Sequence, residues 1–171
     1  IYRSHNLGTN AVFYKTLTIL DEMGRLLKIE NEYGKKAEAL KKSINRYLWQ
    51  EEKGYYGQYL YGHYGKTLSP RSESLGESLC ILYDIASDEQ KRKMFASVPV
   101  MEYGITCIYP QIPGIPPYHN NASWPFVQSY WSWAAARNGN SAAVEHGIAS
   151  IYRQAALFLT NKENMVAGNG D

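Results

Sequence analysis

Apolar residues recur at helical spacing in six stretches of this chain, and the stretches alternate between two kinds. One kind carries apolar groups around most of its circumference, which suits a helix packed on several sides. The other has one apolar stripe and a charged back, which suits a helix with one face in water. From Thr9 to about Ile29 the positions Phe13, Leu17, Leu20, Met23 or Gly24, and Leu27, widened by Val12, Tyr14 and Ile19, predict a mostly buried helix. Lys35 to Trp49 follows as its amphipathic partner, with Ala37, Leu40, Ile44 and Leu48 inward and Lys35, Lys36, Lys41 and Lys42 outward. A second buried helix is predicted over Arg71 to Ala86, with Ser69 as N-cap and Pro70 in its first turn. Ser87 and Gln90 then fit a capping box opening a short charged helix, Asp88 to Ala96. The third pair begins with a helix capped by Ser123, with Pro125 in its first turn, apolar on every side through Trp124, Phe126, Val127, Tyr130, Trp131, Trp133 and Ala134 to Ala136. Asn138 and Gly139 end it. Its partner is Ser141 to Thr160, with Val144, Ile148, Ile151, Ala155 and Phe158 inward and Glu145, Arg153 and Gln154 outward.

The pattern therefore predicts an all-α chain of three antiparallel αα-hairpins. Between them run two long connections of different composition. Residues 50 to 69 interleave Gly with Tyr and read as a small β-hairpin or ordered loop. Val98 to Asn121 carries Pro99, Pro110, Pro113, Pro116 and Pro117, which exclude helix by removing backbone donors. If consecutive helices run antiparallel, the short turns gather at one end and the long connections at the other. The same geometry gathers the N-termini of the buried helices at the long-loop end. Arg71, Glu73, His119, Asn120, Asn121, Trp124 and the tail around Glu163 are then neighbours on one rim.

Composition narrows what such a rim can bind. The formal charge is +2 from near-balanced acids and bases, with no like-charge block, so neither nucleic acid nor an anionic membrane is indicated as a partner. No apolar run is long enough to span a bilayer, and no basic-then-apolar leader opens the sequence. Cys80 and Cys107 form no CxxC, and no histidine stands at ligand spacing, so neither metal nor cofactor is expected. The 15 Tyr and 4 Trp, many beside Gly, Asn and His, are the sharper signal, because a flat apolar face with a polar edge suits sugar rings as well as cores. His119, Asn120 and Asn121 can hydrogen-bond hydroxyls, and Trp124 can stack on a ring or pack under Pro125. Tyr130, Trp131 and Trp133 read as core. Tyr55, Tyr56, Tyr59, Tyr61 and Tyr64 can line a cleft only in part, since strand alternation turns some of them away. Glu73 sits in the predicted first turn of a buried helix, where the dipole favours an anion, and pairs with either Arg71 or a ligand. Asn121-Ala122-Ser123 matches a glycosylation sequon, but a helix cap is the simpler role for Ser123.

The run PPYHNNASWPFVQSYWSWAAARNGN resembles the HN-x-x-x-WPF helix of inverting six-hairpin glycosidases, the group that includes glycoside hydrolase family 63, amylo-α-1,6-glucosidases and related bacterial enzymes. TNAVFYKTLTILDEMGRLL, YLWQEEKGYYGQYLYG and SPRSESLGESLCILYDIA look like the hairpins that precede it. The resemblance implies that residues 1–171 are one domain, the C-terminal half of an (α/α)6 toroid, partnered by a missing N-terminal part. It implies an oligosaccharide substrate with an α-glucosidic or related linkage, and a substrate rim of Arg71, Glu73, Tyr118, His119, Asn120, Asn121 and Trp124. Inversion needs a protonated carboxyl on the leaving oxygen and a carboxylate that activates water, about 6.5–9.5 Å apart. The acid belongs to a more N-terminal hairpin and has no counterpart in this chain. By position NKENMVAGNGD matches the segment of the base, with Glu163 the candidate. For a bacterial glycosidase the resemblance favours a periplasmic or extracellular site over the cytoplasm. Two other classes fit the helical pattern: a non-enzymatic helical-repeat module that binds carbohydrate or protein, and a polysaccharide-lyase-like toroid built on His119 with Arg71.

Overall fold

The computed structural model describes residues 4–160 and 162–171. Ile1, with which the sequence opens, and Asn161 of the tail segment lie outside them. The elements in chain order are β1 (Ser4–Asn6), α1 (Leu7–Leu27), α2 (Tyr33–Tyr47), β2 (Trp49–Gln50), β3 (Tyr55–Tyr56), β4 (Tyr59–Tyr61), β5 (Thr67–Leu68), β6 (Ser72–Glu73) and α3 (Ser74–Leu82). Then follow α4 (Asp88–Ser97), β7 (Val100–Met101), β8 (Gly104–Ile105), β9 (Ile108–Tyr109), β10 (Ala122–Ser123), α5 (Pro125–Arg137), α6 (Ser141–Phe158) and β11 (Met165–Val166).

Helices α1, α3 and α5 pack side by side as an inner row, with α2 against α1 and α6 against α5 on the outside. The inner helices start at the same end. A Cβ on Gly8, in the first turn of α1, would lie 3.7 Å from the Cα of Gly76, in the first turn of α3. At the opposite end Arg137, the last residue of α5, donates through Nη1 to the carbonyl of Leu82, the last residue of α3, at 2.7 Å. This is an arc of a toroid, with the long connections gathered at the helix-start end.

The short strands knit that end. β1 pairs antiparallel with β4, in the register Ser4 to Tyr61, His5 to Leu60 and Asn6 to Tyr59. β6 pairs with β9, Ser72 to Tyr109 and Glu73 to Ile108. β10 pairs with β11, Ala122 to Val166 and Ser123 to Met165. Each of these pairings brackets one helical hairpin. The Gly/Tyr segment forms the β2–β3 hairpin and the β4–β5 pair. It buries Tyr55 and Tyr56 in the core and leaves Tyr64 in water.

Only α3 is buried almost all round, from Ser74 through Leu82 except Leu75. It alone has an inner neighbour on each flank. The sequence pattern predicts the same for α1 and α5, and there the structure differs. In α1 the buried positions are Leu7, Ala11, Tyr14, Leu17 and Gly24, while Phe13, Met23 and Leu27 are exposed. In α5 Trp131 is buried, but Phe126 and Trp133 are about half exposed, at 51% and 53%. One flank of each of these helices has no neighbour among the described residues. α6 also departs from expectation: Gly147, Ser150 and Gln154 face inward and Ile148 is exposed. Small residues let α6 lie close to α5, which a large aliphatic stripe would prevent.

Two helix starts are shifted. Ser69 and Pro70 do not cap α3, because Ser69 accepts instead from the Arg71 N–H within a turn, and Ser72–Glu73 are held extended against β9. The cap is Glu73, whose carboxylate oxygens accept from the N–H groups of Leu75 and Gly76 at 3.1 and 3.0 Å. Ser123 does not cap α5 either. It is buried in β10, and Trp124 takes the cap position with no side-chain bond. The capping box at Ser87 and Gln90 forms as the sequence predicts, and Pro125 occupies the first turn of α5. Cys80 and Cys107 are both buried free thiols. Among the described residues, no helix is long and apolar enough to cross a membrane and no group of side chains has the make-up of a metal site.

Candidate active site

A cavity of about 610 Å³ opens at the starts of the three inner helices. Asn6 and Thr9 contribute from the end of β1 and the first turn of α1, Glu73 and Leu75 from the end of β6 and the first turn of α3, and His119, Trp124 and Phe126 from the loop before α5 and its first turn. The wall is mostly apolar, with a few polar groups converging on it, the usual make-up of a small-molecule site.

Trp124 is held from three sides. Its indole Nε1 donates to the Tyr118 carbonyl at 2.7 Å. The His119 ring stacks on it, 4.8 Å between centroids and 9° between planes, and the Tyr118 ring meets it edge-on at 5.1 Å. An aromatic plate fixed by its own N–H and by stacked neighbours keeps a set orientation, which is what a ring-stacking surface requires. Trp124 itself is only 8% exposed, so the accessible aromatic surface of the wall comes largely from its neighbours, Phe126 among them at 51%.

Glu73 is the acid of this wall. Burial raises its carboxyl to about 7, against the opposing pull of the Gly76 and Leu75 N–H groups. Gly76 is what permits the tight cap, since a Cβ there would lie 2.5 Å from Glu73 Oε2. One turn further along α3, Glu77 is fully buried. Its Oε1 accepts from the Tyr56 N–H at 2.9 Å, while Oε2 has no partner among the described residues. Burial first, and the Glu73 charge second, raise its carboxyl well above the usual range. Among the described residues neither acid forms an ion pair.

The remaining rim residues sit around this cavity in different roles. Asn120 is buried and does not line it. Its side-chain oxygen accepts from the Ile112 N–H at 2.6 Å, and its amide donates to the carbonyls of Ile112 and Ile115, so it staples the proline-rich loop. Three of the four hydrogen-bonding positions of its amide are used in building the loop. Asn121 adopts the left-handed conformation, φ 55°, which asparagine tolerates, and its carbonyl accepts from the Ala167 N–H. Arg71 is turned to the loop, with Nε donating to the Pro110 carbonyl at 3.0 Å. It is not among the described residues that line the cavity. Tyr118 donates its hydroxyl to Glu163 Oε2 at 3.1 Å, and that bond raises its own phenol. Glu163 is exposed and not part of the cavity wall. The β10–β11 pairing and the Ala167–Asn121 bond hold its segment beside the loop that carries His119 and Trp124.

Asn6 and Thr9 have no place among the sequence-derived candidates, although the signal was present. Asn6 is the N-cap of α1 and accepts from the Thr9 N–H at 3.0 Å. An Asn directly ahead of a helical apolar run is an N-cap signal, and it places the first turn of that inner helix at the rim.

An arc of αα-hairpins with a polar and aromatic cavity at the loop end defines a partial six-hairpin toroid of the glycosidase type. Solved structures carry the same fold: a GH63 mannosylglycerate hydrolase from Thermus thermophilus superposes with a TM-score of 0.80 at 15% identity, covering 99% of this chain and 42% of its own. Neutral trehalase Nth1 from Saccharomyces cerevisiae gives 0.76 at 14% identity, covering 96% and 34%. The chain therefore spans less than half the length of either. No curated protein matches the sequence. Residues 7–105 match the trehalase family, and the chain belongs to it.

Proposed function

We propose that this chain forms the C-terminal half of an inverting glycoside hydrolase that acts on an α-glucosidic or related linkage. The observation that carries this reading is the cavity at the inner-helix starts. It combines a fixed Trp124–His119 plate with the Glu73 carboxyl, and the Glu163 segment is strapped beside it. In this reading the cavity holds a sugar ring of an oligosaccharide substrate, with Glu73 and His119 meeting hydroxyls. Glu163 is the general base, oriented by the Tyr118 hydroxyl, and the general acid comes from the N-terminal part of the toroid. Membership of the trehalase family supports a sugar-containing substrate.

The decisive experiment is Glu163→Gln in the protein that carries this chain. With the base removed, turnover of trehalose or a comparable α-glucoside falls by about a thousandfold or more while substrate binding stays near normal. Activity close to wild type would take Glu163 out of the mechanism.

A further inference from the structure

Glu73 is the one carboxyl among the described residues that line the cavity, and no lysine or arginine stands among them. We infer, resting on the reading that this cavity holds a sugar ring, that Glu73 makes it selective for neutral sugars over sugars that carry a carboxylate.

The acid is fixed in place. Both of its oxygens accept backbone N–H groups of α3, and Gly76 leaves no side chain to shield it. The groups that face it offer no compensating cation. Glu77 and Cys80 lie on its own helix, Cys107 lies on the segment leading into β9, and the last two are buried thiols. His119, the one histidine on the described wall, is stacked flat on Trp124. A carboxylate brought into this mostly apolar hollow meets like charge where water screens poorly, whereas a hydroxyl can donate to Glu73. The burial that raises the Glu73 carboxyl to about 7 sets the window: the discrimination is full above neutrality and fades as the acid gains its proton.

Glucose and glucuronate differ only at the sixth carbon, and glucuronate stays ionised throughout this range, so their dissociation constants report the effect directly. At about pH 8 the protein that carries this chain binds glucose at least about tenfold more tightly than glucuronate, and the ratio shrinks toward unity by about pH 5.5. Glu73→Gln narrows the ratio to within about threefold at pH 8, chiefly by a gain for glucuronate, and Glu73→Asp keeps it. Equal binding of the two sugars by the wild type, or a ratio unmoved by Glu73→Gln, overturns the inference while leaving the sugar site standing. Binding of neither sugar overturns the reading of the cavity itself.

Discussion

Two acids, the Glu73 cap of α3 and Glu77 one turn on, give this protein a stability that depends on pH in a sense opposite to the common carboxylate case. Glu77 is buried with one oxygen unpartnered, and its folded-state affinity for a proton is raised. The folded chain then keeps a proton that the unfolded chain has lost, so stability falls as pH climbs past the ordinary carboxylate range. Glu73 adds a contribution of the same sign up to about 7. Glu77→Gln keeps an oxygen for the Tyr56 N–H and removes the titration. Urea midpoints taken at about pH 5 and about pH 8 should show the wild type losing stability with rising pH and the variant losing clearly less. An identical slope in both would mean that Glu77 is solvated in the folded state. None of this was legible in the sequence. Glu73 stood out as an acid in a first turn, but Glu77 looks like any polar residue in a helix. Only the placement of α3 between two inner helices, with Tyr56 folded over it, turns Glu77 into a buried charge. Asn120 shows a role that residue type alone did not suggest: its side chain closes the proline-rich loop through Ile112 and Ile115.

Helix existence and type were readable from spacing, and helix faces much less so. The box at Ser87 and Gln90 formed because its signal is wholly local. The starts of α3 and α5 moved because their flanking residues were recruited into strand pairs by partners far away in sequence, which no local pattern reports. The inward face of α6 was misread because the pattern weighs size, while the packing here rests on smallness. A Cβ on Gly147 would lie 2.1 Å from Ser132 Oγ and 2.7 Å from Gln128 Nε2. Ser132 can turn aside, but Gln128 is locked by accepting from the Ile105 N–H at 2.7 Å. Gly147→Ala should therefore cost about 1–3 kcal/mol through overpacking of α5 against α6, seen as a fall of several degrees in the thermal midpoint. A midpoint unchanged or raised would show that the two helices can separate without loss.

The arc leaves two flanks bare. Ile19, Met23 and Leu26 on α1 and Phe126 and Trp133 on α5 are exposed at either end of the inner row, with Tyr152 and Leu157 on α6. Large apolar side chains left exposed along helix faces suit an interface, and the solved relatives are more than twice as long as this chain. Residues 1–171 expressed alone should bind an apolar dye such as anilinonaphthalene sulfonate and self-associate on a sizing column. Joined to the N-terminal part of the toroid, the same segment should lose most of that dye binding. A monodisperse, dye-silent fragment would count against the ring. The strand staples carry a different consequence, one of timing. Because the β1–β4, β6–β9 and β10–β11 pairs each close on a single helical hairpin, the strand staples at the cavity end each span one repeat of sequence rather than the whole chain. Contacts of moderate sequence separation form early and cheaply, so each hairpin can close its own staple as a unit before its neighbours arrive. The cavity then grows by the docking of finished pieces. Its slowest step is the meeting of hairpins rather than the making of any one of them.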